Sequence, residues 1–167
     1  MQALPRWITA FCIAMATFAA AGHSQKAHAH DFRIGDLVID HPYATPSQPE
    51  GTHGTAHFRS IRNRGRSMDR LVAASTPAAA RVELHETIME GGVMTTREVE
   101  AIELPARQTI RLRHDGRFHL KLVDLEGPLA AGDRFDLSLR FERAGETKVR
   151  VWVQQPRTST DHQEHRH

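Results

Sequence analysis

The sequence is rich in histidine, the side chain that most often binds metal ions in proteins. Twelve histidines occur among 167 residues. Imidazole is also the side chain whose ordinary pKa lies closest to neutral pH. Ten of the histidines lie beyond residue 29: His30, His41, His53, His57, His85, His114, His119, His162, His165 and His167. Metal binding is therefore the first chemistry to consider.

One segment combines histidine with methionine. Residues 81–97 read RVELHETIMEGGVMTTR and contain a Gly-Gly turn between two candidate strands. A hairpin at this turn carries His85, Met89 and Met94 toward one end of the fold, and a second hairpin supplies His119. Thioether and imidazole together favour Cu(I), whereas imidazole alone suits Cu(II) or Zn(II). The alternative is structural, because a methionine at a strand end is commonly a gap filler in the core.

A third imidazole is expected from the segment before His119. If Asp115-Gly116 forms a two-residue hairpin turn, residue 119 pairs with residue 112 across it. His114 then shares a sheet face with His119, one pair along. The sequence thus predicts that His114 joins His85 and His119 as a ligand.

The C-terminal segment offers a separate site. His162, His165 and His167 lie in a polar stretch that can bind Cu(II) or Zn(II) without a preformed pocket. Cleavage after Ala29 would also expose His30 as an N-terminal residue whose amine and imidazole can chelate Cu(II) together. The alternatives are a solvated tail and the remainder of an expression tag. The composition predicts that residues 157–167 are disordered.

The elements that must position these side chains are strands. From Asp36 onward, apolar and polar residues alternate with period two, as in residues 135–141 (FDLSLRF). Gly and Pro separate eight or nine such runs, which is typical of an all-β sandwich or barrel. No segment beyond residue 29 has the pattern of an amphipathic helix.

The first 29 residues resemble a secretory signal peptide. Arg6 precedes an apolar run of about 15 residues, shorter than the roughly 20 of a membrane-spanning helix, and Ala27-His28-Ala29 is a small-x-small cleavage pattern. Cleavage after Ala21 is the rival. The only cysteine, Cys12, lies within the apolar run, too early for a lipid anchor. The mature chain therefore has no disulfide and no thiolate ligand.

Charge and motifs exclude several function classes. Cleavage after Ala29 removes two basic residues and leaves 20 basic and 20 acidic side chains. The chain then lacks the overall basic character of a nucleic-acid-binding domain, although Arg62, Arg64, Arg66 and Arg70 form a local cluster. Neither a G-x-S-x-G nucleophile turn, nor a phosphate-binding glycine loop, nor an H-E-x-x-H helix occurs. We therefore expect no enzyme.

Several motifs resemble the PCu(A)C family of periplasmic copper chaperones. The matching segments are His41-Pro42-Tyr43-Ala44-Thr45-Pro46, Ile61-Arg62-Asn63-Arg64-Gly65, Asp69-Arg70-Leu71-Val72, Val82-Glu83-Leu84-His85-Glu86-Thr87, Met89-Glu90-Gly91-Gly92-Val93-Met94, Phe118-His119-Leu120 and Leu139-Arg140-Phe141-Glu142-Arg143-Ala144-Gly145. The resemblance implies a cupredoxin-like Greek-key β-sandwich. It also implies Cu(I) binding and a role in supplying copper for cytochrome c oxidase assembly, often beside Sco-type proteins.

The family's ligand pattern carries over only in part. His85 and His119 match its two histidines, whereas Thr96 and Lys121 occupy the positions of its two methionines. Loss of two thioethers weakens Cu(I) binding more than Cu(II) or Zn(II) binding. Met94 has the same strand parity as Thr96 and is a candidate replacement.

The sequence as a whole predicts a periplasmic copper chaperone, with residues 30–156 as the β-sandwich domain. Copper, as Cu(I) or Cu(II), is the expected metal, and zinc is the secondary one. A copper-accepting oxidase subunit or a Sco-type protein is the expected partner of a monomer that neither binds nucleic acid nor inserts into a membrane after signal cleavage. The alternative is a divergent relative that acts as a Cu(II)/Zn(II) buffer or protein-interaction module.

Overall fold

Eleven β-strands make up the domain. The computed structural model describes residues 31–155, and these contain no helix, so none that could cross a membrane. The strands are β1 (Asp31–Ile34), β2 (Leu37–Ala44), β3 (His53–Asn63), β4 (Asp69–Ser75), β5 (Ala79–Glu90), β6 (Val93–Glu98), β7 (Ile102–Leu104), β8 (Thr109–Leu112), β9 (Phe118–Leu125), β10 (Arg134–Phe141) and β11 (Gly145–Val153). The prediction of an all-β fold is confirmed. The two strands absent from the sequence pattern are β1, which precedes the alternation that begins at Asp36, and β7, which has only three residues.

The strands form one sheet that folds over on itself. Their order is β6-β5-β9-β3-β2-β11-β10-β4-β7, with β1 added to β2 and β8 added to β3. Strand β11 pairs with β2 in parallel, and the other pairings between residues 31 and 155 are antiparallel. A single hydrophobic core takes side chains from both ends of this order, including Leu84 of β5 and Leu71 of β4. The two halves therefore face each other as the layers of a sandwich.

Alternation along the central strands separates the core from the outer face. In β9, Leu120 and Leu122 are fully buried, and the alternate residues His119 and Lys121 lie on the other side of the strand. Leu84 pairs with Leu120, and His85 pairs with His119. The hydrophobic effect that turns the leucines inward thus also turns the histidines outward.

The loop between β8 and β9 is not the predicted hairpin. Strand β8 pairs with β3 at residues 58–62, and β9 pairs with β3 at residues 53–56. The two strands therefore follow each other along the same edge of β3. Residues 113–117 form an excursion, a loop that departs from this edge after β8 and rejoins it at β9. Local turn chemistry at Asp115-Gly116 suggested a hairpin, but pairing with the long strand β3 overrides it, so the predicted pairing of residues 112 and 119 is wrong.

Two buried polar side chains, Asn63 and Asp69, connect loops at one end of the sandwich through hydrogen bonds to the backbone. Asn63 donates to the carbonyls of Ser67 and Leu104, both at 2.8 Å, and accepts from the Gly65 amide at 2.9 Å. The Asp69 carboxylate accepts backbone N–H groups from residues 70, 143 and 144. The Asn-Arg-Gly and Asp-Arg motifs of the sequence are thus structural here, since their side chains satisfy buried backbone groups.

We expect Asn63→Ala to destabilise the fold strongly. The substitution leaves the buried Leu104 carbonyl and the buried Gly65 N–H without partners and removes the bond to the Ser67 carbonyl, at a cost of about 2–4 kcal/mol. Urea unfolding of the variant checks this value. The neighbouring exposed Arg62→Ala is the matched control and should change stability by less than about 0.5 kcal/mol. Equal effects of the two substitutions would contradict the structural role of Asn63.

Candidate metal site

His85 and His119 lie side by side on neighbouring strands. They form a direct cross-strand pair of β5 and β9, and their ring centroids are 5.6 Å apart. His85 is 8% exposed and His119 is half-buried. Two imidazoles at this separation can share one metal ion, so the structure brings together the two histidines that the sequence singled out first.

Glu83 fixes the orientation of the His85 ring. Its Oε2 lies 2.9 Å from His85 Nε2, and Arg81 donates to its other oxygen at 2.8 Å. The hydrogen bonds from His85 and Arg81 lower the pKa of the Glu83 carboxyl below its usual value. An ionised carboxylate accepts the proton of Nε2, which leaves Nδ1 as the lone-pair atom. This Nδ1 is buried and has no hydrogen-bond partner within the described part of the chain.

A carboxylate on one ring nitrogen is the usual support for a histidine that binds metal through the other nitrogen. The unpartnered Nδ1 of His85 is therefore chemically suited to a metal. For His119, burial favours the neutral, ligating form. Burial lowers its pKa below the usual 6.5, and the nearby His85 and Lys121 lower it further.

The pair opens into a cavity of about 500 Å³. Thr96 and Lys121 line this cavity together with His53 and Thr55. The Lys121 ammonium lies 3.8 Å from the Glu83 carboxylate. Among the residues that the structure describes, hydroxyl and ammonium groups, and no thioether, line this cavity beside the histidine pair.

Met89 and Met94 lie farther away. They pair with each other at the tip of the β5–β6 hairpin and are 65% and 69% exposed. Four residues of strand separate Met89 from His85, or about 13 Å at 3.3 Å per residue. By strand alternation, both methionines lie on the same side of the sheet as His85. They do not line the cavity, so the structure does not bring them to the histidine pair.

His114 lies beside another histidine, His57. The excursion at residues 113–117 places the His114 ring 6.3 Å from that of His57, and His57 is in turn 6.2 Å from His119. The four rings thus form a row in the order His85, His119, His57, His114. Sequence reasoning missed His57. Its position between the buried Ala56 and Phe58 indicates an outward face, but local spacing does not reveal its neighbours on other strands.

Neighbouring rings in the row lie close enough to form pairs, but three rings do not converge on one point. Within residues 31–155, no group of three or more His, Cys, Asp or Glu side chains is arranged around a common ion position. The predicted signal peptide, His30 and the tail histidines His162, His165 and His167 lie outside the described residues.

Comparison with solved structures identifies the fold. The copper-bound PCuAC domain from PmoF2 is 24% identical, with a TM-score of 0.65 over 76% of this chain and 99% of that domain. The Cu(I) form of DR1885 from Deinococcus radiodurans is 26% identical, with a TM-score of 0.58 over 79% of this chain and 85% of that one. The domain is therefore a cupredoxin-like β-sandwich, as predicted.

The sequence comparison identifies the family. Residues 37–153 match the family described as "Putative lipoprotein LpqE-like", and the chain belongs to this family. A curated relative, "Putative lipoprotein Lxx21020" from Leifsonia xyli subsp. xyli, is 34% identical over 104 residues. That alignment spans 62% of this chain and 62% of the relative.

We expect stability to fall in mild acid because His57 is buried in its neutral form. Burial, with smaller contributions from His119 and His114, lowers its pKa from 6.5 to about 4. The unfolded chain then binds more protons between these values. The stabilising contribution of neutral His57 is complete above pH 6.5 and is lost as the pH falls toward 4, amounting to about 3 kcal/mol.

Urea unfolding of chelator-treated protein from about pH 7 to about pH 4.5 measures this slope. His57→Gln cannot titrate and should show a shallower slope than the original chain. Parallel slopes would exclude His57 as the source.

Proposed function

We propose that the chain is a copper-binding metallochaperone that carries copper between β5 and β9 and releases it to a partner. The observation that carries the proposal is the His85–His119 pair, 5.6 Å apart, with Glu83 on one ring nitrogen of His85 and the other nitrogen unpartnered. Two similar solved domains are described as copper-bound and as Cu(I)-bound, which supports copper as the cargo. Copper is here a substrate of transfer and not a catalytic cofactor.

The open cavity beside the pair suits transfer by ligand exchange. Two protein ligands leave coordination positions open on the ion, so an acceptor's ligand can bind before a histidine departs. No bond of the cargo is made or broken other than metal–ligand bonds, and the protein has no turnover as an enzyme. The proposed acceptor is an oxidase copper centre or a Sco-type protein, as the PCu(A)C resemblance implies.

The proposed location is outside the cytoplasm, in the periplasm. The signal-like residues 1–29 support export, and the matching family and relative are both described as lipoproteins. The chain beyond residue 29 has no cysteine. Imidazole and thioether ligands suit an oxidising compartment, because a free thiol would form disulfides there.

A second function, buffering Cu(II) or Zn(II) without Cu(I) transfer, is favoured by one observation. Thr96 and Lys121 line the cavity beside the histidine pair, and no thioether does so among the described residues. An all-imidazole donor set suits Cu(II) and Zn(II) as well as Cu(I). The relative affinities for Cu(I) and Zn(II) therefore separate the two functions.

We expect His85→Ala and His119→Ala each to weaken Cu(I) binding by about 100-fold, or roughly 3 kcal/mol. Each variant removes one of two imidazoles, and a single one cannot hold the ion in competition with a chelator. Chelator competition under reducing conditions measures the affinity. All proteins carry His162→Ala, His165→Ala and His167→Ala, so that the tail does not contribute.

His53→Ala is the matched control, since this exposed histidine lines the same cavity but is not part of the pair. It should leave the affinity within about threefold of the parent. An unchanged affinity in both His85→Ala and His119→Ala would overturn the proposed cargo site. Tight Zn(II) binding with negligible Cu(I) binding would favour the buffer instead.

We also expect Thr96→Met and Lys121→Met to strengthen Cu(I) binding. Each places a thioether at the cavity wall, and the second also removes an ammonium group that opposes a cation. A gain of about tenfold per substitution corresponds to roughly 1.4 kcal/mol. Thr95→Met, on the opposite side of the same strand, is the control. A Cu(I) affinity that does not rise in either variant would show that the cavity is not the binding position.

A further inference from the structure

A second cavity lies at the far end of the histidine row, next to His114, and has a volume of about 300 Å³. The side chains that line it include His41, Tyr43, Arg59, Arg113 and Gln154. We call it the arginine cavity. Neither His85 nor His119 lines it, so it is separate from the proposed cargo site.

Core packing brings the two arginines of this cavity together. Phe58 of β3 pairs with Pro42 of β2 and with Leu112 of β8, and all three are buried. The next residues along the chain from β3 and β8 are Arg59 and Arg113, and both are exposed. Burial of the apolar residues thus leaves two guanidinium groups at one cavity.

Both guanidinium groups keep donors for a further ligand. Arg59 lies 3.6 Å from the Asp40 carboxylate, and Arg113 lies 3.4 Å from that of Asp115. These separations are longer than the roughly 3.2 Å that limits a good N–H···O hydrogen bond. A guanidinium presents several N–H groups in a fixed fork, so these loose contacts leave most of the donors unused.

Neutral groups of the lining add donors. The Tyr43 hydroxyl accepts the His114 backbone N–H at 3.2 Å, and its own proton remains to be donated. Gln154 Nε2 lies 3.1 Å from His41 Nε2, and the amide carries a second N–H. His41 has a φ of 47°. Such a conformation is uncommon outside glycine, and residues that adopt it cluster at ligand sites.

The charge of the lining favours an anion. Within residues 31–155, no carboxylate lines this cavity, and the two guanidinium groups attract a negative charge and oppose a metal cation. The fork of an arginine matches the paired oxygens of a carboxylate or a phosphate. The volume is at the lower end of the roughly 300 to 1,000 Å³ of ligand pockets, which suits a small ligand.

We propose that the arginine cavity binds a small oxyanion, through a phosphate or carboxylate group held between Arg59 and Arg113. The Tyr43 hydroxyl and the Gln154 amide donate to its remaining oxygens. The site does not rest on the proposed copper cargo. The two ends of the histidine row then take ligands of opposite charge.

NMR titration of the metal-free, whole mature chain tests this site. Inorganic phosphate and succinate are added in separate titrations, with the ionic strength held constant by sodium chloride. The backbone amide resonances of Arg113, His114 and Gln154 should shift and saturate, with a dissociation constant of about 1 mM or lower. Saturation with either anion supports the site, and the tighter of the two identifies the ligand class. Absent or unsaturated shifts with both anions would overturn the proposal.

Two substitutions assign the binding to the arginines. Arg59→Gln and Arg113→Gln should each weaken the binding by about tenfold, because each removes one charged fork. Both residues are exposed, so the fold should tolerate either change. An affinity that is unchanged in both variants would contradict the site.

Arg140→Gln is the matched control. It removes the same charge from an exposed position on β10 that does not line the cavity, and it should leave the affinity within about twofold of the parent. An equal loss in this variant would show that the anion responds to overall charge and not to a site. Because the protein is free of metal, failure of the copper proposal leaves this result unaffected.

Discussion

The register between β5, β9 and β3 is the constraint on which the rest of the structure depends. Leu84, Leu120 and Ala56 are buried on neighbouring strands of the sheet, and burying them forces the residues adjacent to them in sequence onto the outer face. Those adjacent residues include His85, His119 and His57. A slip of one residue would put imidazoles into an apolar core and leucines into water. The hydrophobic core therefore places the histidine row as firmly as any polar contact does.

Ion pairs connect the strands that carry the histidine row. Glu86 follows His85 on β5 and is 4% exposed, and its carboxylate accepts from Arg97 of β6 and from Arg117 of the loop before β9. These bonds lower the pKa of the Glu86 carboxyl and keep it ionised. One buried carboxylate thus joins the β5–β6 hairpin to the start of β9. Glu83, two residues before His85, acts on the side of the histidines by orienting the His85 ring.

Sequence patterns predicted what depends on local periodicity. Alternation located nine of the strands, and the Gly-Gly turn at residues 91–92 located the β5–β6 hairpin. His85 and His119 are neighbours because their strands pair, which the family resemblance implied and spacing alone did not. The pairing of β8 with β3 and the role of His57 escaped prediction because both depend on strands far apart in the chain. Met89 and Met94 lie on the predicted side of the sheet. Strand alternation predicts the side of a residue but not its distance from His85 along the strand.

The excursion at residues 113–117 has a consequence for how relatives of this domain can differ. These residues connect β8 to β9 but do not themselves pair with β3, whereas β8 and β9 both do. Insertions or deletions there leave the register of both strands unchanged, and surface loops tolerate such length changes well. Substitutions and length changes in this loop, including those that remove an imidazole such as His114, should therefore cost the fold little.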